Sequence, residues 1–124
     1  MPVKKILLID DEEYFCRAFK KGIEMKSKFR VLTATRADEG IRLAKTQKPD
    51  LILLDVMMPG MAGTQVAEKL SEDPATTSIP IMFVTAIVKP EEVKRSKGVF
   101  GGRTFIAKPV MMDELIKNIN AMDR

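Results

Sequence analysis

Leu51-Ile52-Leu53-Leu54-Asp55 sets four apolar residues in a row and closes them with a carboxylate. A strand with one wet face alternates apolar and polar residues. A strand covered on both faces of a parallel sheet is apolar throughout. The run therefore reads as a central strand with an acid at its carboxyl end. Working outward, Ile6-Leu7-Leu8-Ile9 and residues 79–84 share this character. Val31-Leu32-Thr33-Ala34 and the weaker Thr104-Phe105-Ile106-Ala107 complete five runs of strand length.

Amphipathic stretches separate them. Phe15, Phe19 and Ile23 recur at i, i+4, i+8, with Ala18 and Gly22 placed on the same face. Ala37, Ile41 and Ala44 repeat the pattern, Val66 and Leu70 mark a third stretch after Gly63, and Leu115, Ile119 and Met122 a last one after Val110. Strands alternating with helices through short loops predict an α/β domain, a (βα)5 doubly wound sheet of five parallel strands. Right-handed crossovers put helices on both faces. Residues 89–102 begin like a helix at Pro90-Glu91-Glu92 but carry Gly98, Gly101 and Gly102, so a short or irregular fourth helix is expected there. At 124 residues the chain is expected to be one domain over 1–124.

In an open α/β sheet, ligands bind beyond the carboxyl ends of the strands, where strand order reverses. The residues expected at that edge are Asp10-Asp11, Asp55, Thr85 and Lys108. Each has a plainer reading. Asp10-Asp11 can cap a helix over 12–26, Asp55 a turn, and Thr85 is a common strand residue. Together they are three carboxylates, a hydroxyl and an ammonium. Carboxylates so close repel one another, and a hard divalent cation relieves this. Oxygen donors without histidine or thiol point to Mg²⁺ or Mn²⁺ rather than Zn²⁺. A carboxylate can also act as a nucleophile and form an aspartyl-phosphate. Phosphoryl transfer asks the protein mainly for positioning and charge neutralisation. No Gly-x-x-x-x-Gly-Lys-[Ser/Thr] loop is present, so the phosphoryl group is expected from another protein or a small donor.

Four motifs at these spacings carry a resemblance over essentially the whole chain. They are Ile9-Asp10-Asp11-Glu12, the stretch Pro49-Asp50-Leu51-Ile52-Leu53-Leu54-Asp55-Val56-Met57-Met58-Pro59-Gly60, Val84-Thr85-Ala86, and Lys108-Pro109. The sequence resembles the single-domain, CheY-like receiver domain of two-component response regulators, a flavodoxin-like fold. The resemblance implies that Asp55 is the phosphoacceptor. Asp11 is then a direct Mg²⁺ ligand, Asp10 acts largely through water, and Met57 offers a backbone carbonyl. Thr85 would hydrogen-bond the phosphoryl oxygen and Lys108 would pair with it. Thr85 and Phe105 would form a switch that remodels the surface of the fourth helix, fifth strand and last helix. Met57 and Ile87 would flank the approach of a hydrolysing water. The implied partners are a sensor histidine kinase or histidine phosphotransfer protein and an unknown downstream protein. The implied role is a signalling switch and not an enzyme acting on other substrates. The sequence departs from the family's common pattern at Ala62, at Phe100-Gly101-Gly102 and at Phe105, where tyrosine is commoner.

Composition narrows the alternatives. The absence of histidine removes His-based acid–base catalysis and His metal ligands, and Cys16 alone cannot make a disulfide framework. No stretch approaches the roughly 18 apolar residues of a membrane span, and the apolar run after Lys5 meets Asp10 too soon for a signal peptide. A cytoplasmic setting is expected. The net charge of +4 is dispersed, which makes nucleic-acid binding an unfavoured reading. A Mg-dependent phosphatase with an Asp nucleophile is the main alternative. Such enzymes usually carry a second Asp two residues on, where this chain has Met57. A flavodoxin-like mononucleotide binder would need a hydroxyl- and glycine-rich loop where this chain has Asp10-Asp11.

Overall fold

A computed structural model describes residues 4–85, 99–100, 103–108 and 110–121, with the backbone alone for 99–100 and 103–105. The elements run β1 (Lys5–Ile9), α1 (Glu13–Lys26), β2 (Arg30–Ala34), α2 (Ala37–Gln47), β3 (Leu51–Asp55), α3 (Gly63–Glu72), β4 (Ile81–Thr85), β5 (Val99–Phe100), β6 (Arg103–Ala107) and α4 (Met112–Ala121). The five expected strands are β1, β2, β3, β4 and β6. They lie parallel in one sheet in the order β2-β1-β3-β4-β6. Strand order reverses at β1, which pairs with both β2 and β3. The carboxyl ends of β1 and β3 therefore flank a crevice.

The continuous apolar runs are explained by cover on both sides. Along β1 and β3, Ile6, Leu8, Leu51 and Leu53 face one core with Phe19 and Ile23 of α1 and Leu115 and Ile119 of α4. Leu7, Ile9, Ile52 and Leu54 face a second core with Ala44 of α2 and Val66 and Leu70 of α3. Every residue from Leu51 to Leu54 is fully buried. Close packing on the second side requires Gly40, where an added Cβ would lie 2.6 Å from the Ile9 side chain.

Two expectations are corrected. The buried stripe of α1 is Cys16, Phe19 and Ile23, with Phe15 half-buried, while Ala18 is exposed. A spacing of i, i+3, i+7 aims at the sheet more squarely than i, i+4, i+8, whose members drift around the helix. Residues 99–100, expected within a helix, form β5, which pairs antiparallel with β6. The partners Phe100 and Arg103 are separated only by Gly101-Gly102, the spacing of a two-residue hairpin, and Val and Phe favour strands. The rest of the expected fourth helix lies outside the described residues, as does Met122. Among the described residues no helix is long and apolar enough to cross a membrane.

Candidate phosphoacceptor and metal site

The carboxyl ends of β1 and β3 deliver the acids. Asp10 follows β1 and is fully buried, Asp55 ends β3 at 5% exposure, and Asp11 is exposed. One carboxylate oxygen from each lies within 4.8 Å of the others. Asp10 does not cap α1 from the N-cap position, which Glu12 occupies without a side-chain bond. Instead Asp10 Oδ1 accepts the Glu12 N–H at 2.9 Å, an Asx-type turn that aims the other oxygen into the crevice. Behind it, the buried Cys16 thiol donates to the Asp10 carbonyl at 3.2 Å. Burial, reinforced by the charge of Asp10, pushes the Cys16 thiol up to about 12, so it stays protonated as a structural donor.

The β3–α3 loop is held from beneath. The Gly63 N–H donates to the Val56 carbonyl at 2.8 Å. A Cβ on Gly63 would lie 2.1 Å from the Asp55 carbonyl oxygen, so only glycine lets α3 start this close to β3. Asp55 Oδ1 accepts a long 3.4 Å bond from the Met57 N–H, while the Met57 side chain is 63% exposed.

Lys108, just past β6, is held by its backbone and by its head. Its N–H donates to the Thr85 carbonyl at 3.0 Å, tying it to the end of β4. Its ammonium, on a side chain only 12% exposed, lies 2.7 Å from Asp10 Oδ2, 2.9 Å from Glu12 Oε1 and 3.9 Å from Asp55 Oδ2. It also sits 4.5 Å from the centre of the Phe15 ring. Thr85 is fully buried at the same edge. The structure thus brings Asp10, Asp11, Asp55, Met57, Thr85 and Lys108 to one edge. The side chain of Phe105 and all of Ile87 and Pro109 lie outside the described residues.

The charges are poised. Burial first, then the neighbouring Asp10 charge, raises the Asp55 carboxyl from 3.8 to about 6, against the opposing pull of Lys108. Burial also raises Asp10, opposed by Lys108 and the Glu12 N–H. Asp10 Oδ2 is buried and has no well-formed hydrogen bond, only the ion pair with Lys108. Three converging carboxylates, one with an under-satisfied buried oxygen, fit a hard divalent cation.

Two contributors to this site were not singled out from sequence. Glu12 was legible only as the residue after Asp10-Asp11, and Phe15 was placed in the core stripe of α1. Their proximity to Lys108, 96 and 93 positions on, depends on α1 beginning beside the loop after β6.

The chain matches the response regulator receiver domain family over residues 6–120. It belongs to that family. It is 35% identical over 119 residues to protein PilH of Pseudomonas aeruginosa, an alignment spanning 95% of this chain and 96% of PilH. It is 35% identical over 122 residues to the alkaline phosphatase synthesis transcriptional regulatory protein PhoP of Bacillus subtilis. That alignment spans 98% of this chain but 49% of PhoP, so the chain covers about half of that relative's length. A CheY-like receiver domain protein from Methanospirillum hungatei has the same fold at a TM-score of 0.78 and 26% identity, over 97% of this chain and 93% of that one. Receiver domains of two-component systems are signalling switches that interact with histidine kinases or phosphotransfer proteins and with downstream targets. This membership leaves the Asp-nucleophile phosphatase reading without support.

Proposed function

We propose that residues 1–124 form one cytoplasmic receiver that accepts a phosphoryl group on Asp55 from a sensor histidine kinase or histidine phosphotransfer protein. One observation carries the reading. The nearly buried Asp55 carboxylate shares a 4.8 Å oxygen cluster with Asp10 and Asp11 and has the Lys108 ammonium 3.9 Å away. Asp11, Asp10 through water, Asp55 and the Met57 carbonyl would hold Mg²⁺ or Mn²⁺. When bound, that cation would offset the negative charge gathered on the carboxylates and the phosphoryl oxygens. An Asp55 carboxylate oxygen forms a bond to phosphorus as the donor's P–N or P–O bond breaks. Lys108 pairs with a phosphoryl oxygen, and the Thr85 hydroxyl hydrogen-bonds to another. The chain then catalyses only its own phosphorylation and dephosphorylation.

Incubation with acetyl phosphate and Mg²⁺ is expected to add one phosphoryl mass, with acetate leaving. Asp55→Asn is expected to abolish it. Equal labelling of that variant would reassign the phosphoacceptor. In the same reading, Thr85 and Phe105 couple the phosphoryl group to the surface made by the segment before β5, by β6 and by α4, where the unknown downstream protein binds. Amide exchange with and without beryllofluoride is expected to differ most between residues 85 and 110. A change confined to the Asp55 loop would count against the switch.

A further inference from the structure

We infer that Phe15 and Glu12 are positioning residues that hold the Lys108 ammonium ready for an oxygen borne on Asp55. The inference rests on the phosphoacceptor reading of Asp55 and deepens it. A lysine head sits on a flexible four-carbon stem and is a compact charge with three donors. Unrestrained, it would sample many rotamers around an acidic crevice. Here three contacts fix it. Asp10 Oδ2 at 2.7 Å and Glu12 Oε1 at 2.9 Å engage two directions, and the face of the Phe15 ring, 4.5 Å from Nζ, supports a third side. Asp55 Oδ2 at 3.9 Å lies beyond hydrogen-bond distance. An N–H not bonded to Glu12 can therefore turn toward an oxygen that extends further from Asp55 than its own carboxylate does, as a transferred phosphoryl oxygen does.

The ring is itself anchored. Phe15 lies 5.9 Å, centre to centre, from Phe19, which is fully buried between α1 and the sheet. Lys108 is thus referenced to the core through Phe15, and to the N-terminal turn of α1 through Glu12. A cation over an aromatic face is favoured most where water is excluded, as it is around this side chain. Leucine at position 15 would keep much of the apolar packing but remove the π face, whereas tyrosine would keep both.

The test follows phosphoryl uptake from acetyl phosphate in Mg²⁺ by intact mass, with thermal melting as the folding control. Phe15→Leu is expected to slow uptake about three- to tenfold, and Phe15→Tyr to restore it. Glu12→Gln is expected to slow it to a similar extent. Glu13→Gln makes the same charge change at a residue paired with Arg17 instead, and is expected to leave the rate unchanged. In a Lys108→Met background, Phe15→Leu is expected to have no further effect, since the group it positions is gone. An unlabelled wild type overturns the phosphoacceptor reading and this inference with it. A labelled wild type matched in rate by Phe15→Leu and Glu12→Gln overturns this inference alone. So does a Phe15→Leu effect that persists without Lys108, because it would then act only through packing. Should Phe15→Leu fail to fold, the Glu12→Gln and Glu13→Gln comparison decides.

Discussion

Asp55 is costly to ionise where it stands. Its folded pKa of about 6 lies above its usual 3.8, first because it is buried and then because Asp10 is close. Between these values the folded protein binds more protons than the unfolded chain. By linkage, this group's contribution to stability is greatest below about pH 4 and is lost as pH rises through 6. Asp10, also raised, works in the same direction. In metal-free buffer the wild type is therefore expected to lose stability from pH 4 to 7, by on the order of 2–3 kcal/mol from Asp55. Asp55→Asn removes the ionising group, so the variant is expected to melt higher than wild type at pH 7 and to show a flatter pH profile. Chemical denaturation at pH 4.5 and 7.0 measures both. A wild type that gains stability over this range, with Asp55→Asn gaining less, would show that Lys108 more than compensates for burial at Asp55; an equal gain in both would come from carboxyls held low, such as Glu24 and Asp73. Sequence could place these acids at one sheet edge because strand ends in a doubly wound fold converge there. It could not show that Asp10 is buried while its neighbour Asp11 is exposed, because that depends on the turn made by Asp10 Oδ1 and the Glu12 N–H.

The ends of α3 show what single residues contribute to an element. Ala62 occupies the N-cap in extended geometry, φ −65° and ψ 150°, the backbone shape that suits a capping side chain. Gln65 already provides half of a capping box, its Oε1 accepting the Ala62 N–H at 3.0 Å. The Gln65 N–H donates to the Ala62 carbonyl at 3.0 Å, and alanine has no side-chain oxygen to return the second bond of the box. Ala62→Ser is expected to supply it and stabilise the protein by about 1 kcal/mol, a rise of about 3–5 °C in melting temperature. An unchanged or lower melting temperature would mean that the hydroxyl does not reach that N–H. The elements themselves were largely legible, and the reasons are local. Leu51 to Leu54 read as a doubly covered strand, and β1 and β4 read the same way. The stripe of α1 was right at Phe19 and Ile23 but left out Cys16, which was not counted as apolar core although a buried thiol packs as one. Val99–Phe100 was missed because the helix-like Pro90-Glu91-Glu92 start outweighed a hairpin signal only two residues long on each side.

At the scale of the whole molecule, a parallel sheet must also deal with its edges, which can pair with another chain. β2 forms one edge, bonded to β1 on one side only. The Arg30 N–H and the Ala34 carbonyl bond toward β1, so the intervening Val31 turns its backbone groups outward. Two side chains from α1 reach over to cover them. Glu24 Oε2 accepts the Val31 N–H at 2.9 Å, and Lys20 Nζ donates to the Val31 carbonyl at 2.6 Å. The two side chains then pair with each other at 3.1 Å. The Val31 N–H is also the foremost reason that Glu24 is held below its usual carboxylate range. A salt bridge this exposed contributes little to stability on its own. Its position at Val31 suggests a different use, as a substitute for the missing neighbouring strand. Lys20→Ala combined with Glu24→Ala removes two backbone partners and preserves net charge. The double variant is expected to lose about 1–2 kcal/mol of stability and to exchange the Val31 amide faster. It is also expected to sediment as larger species than wild type at equal concentration, because the uncovered edge can recruit another strand. Faster exchange with unchanged sedimentation would show that β2, five residues long, is too short to pair across molecules, and that the cap serves this chain's stability alone.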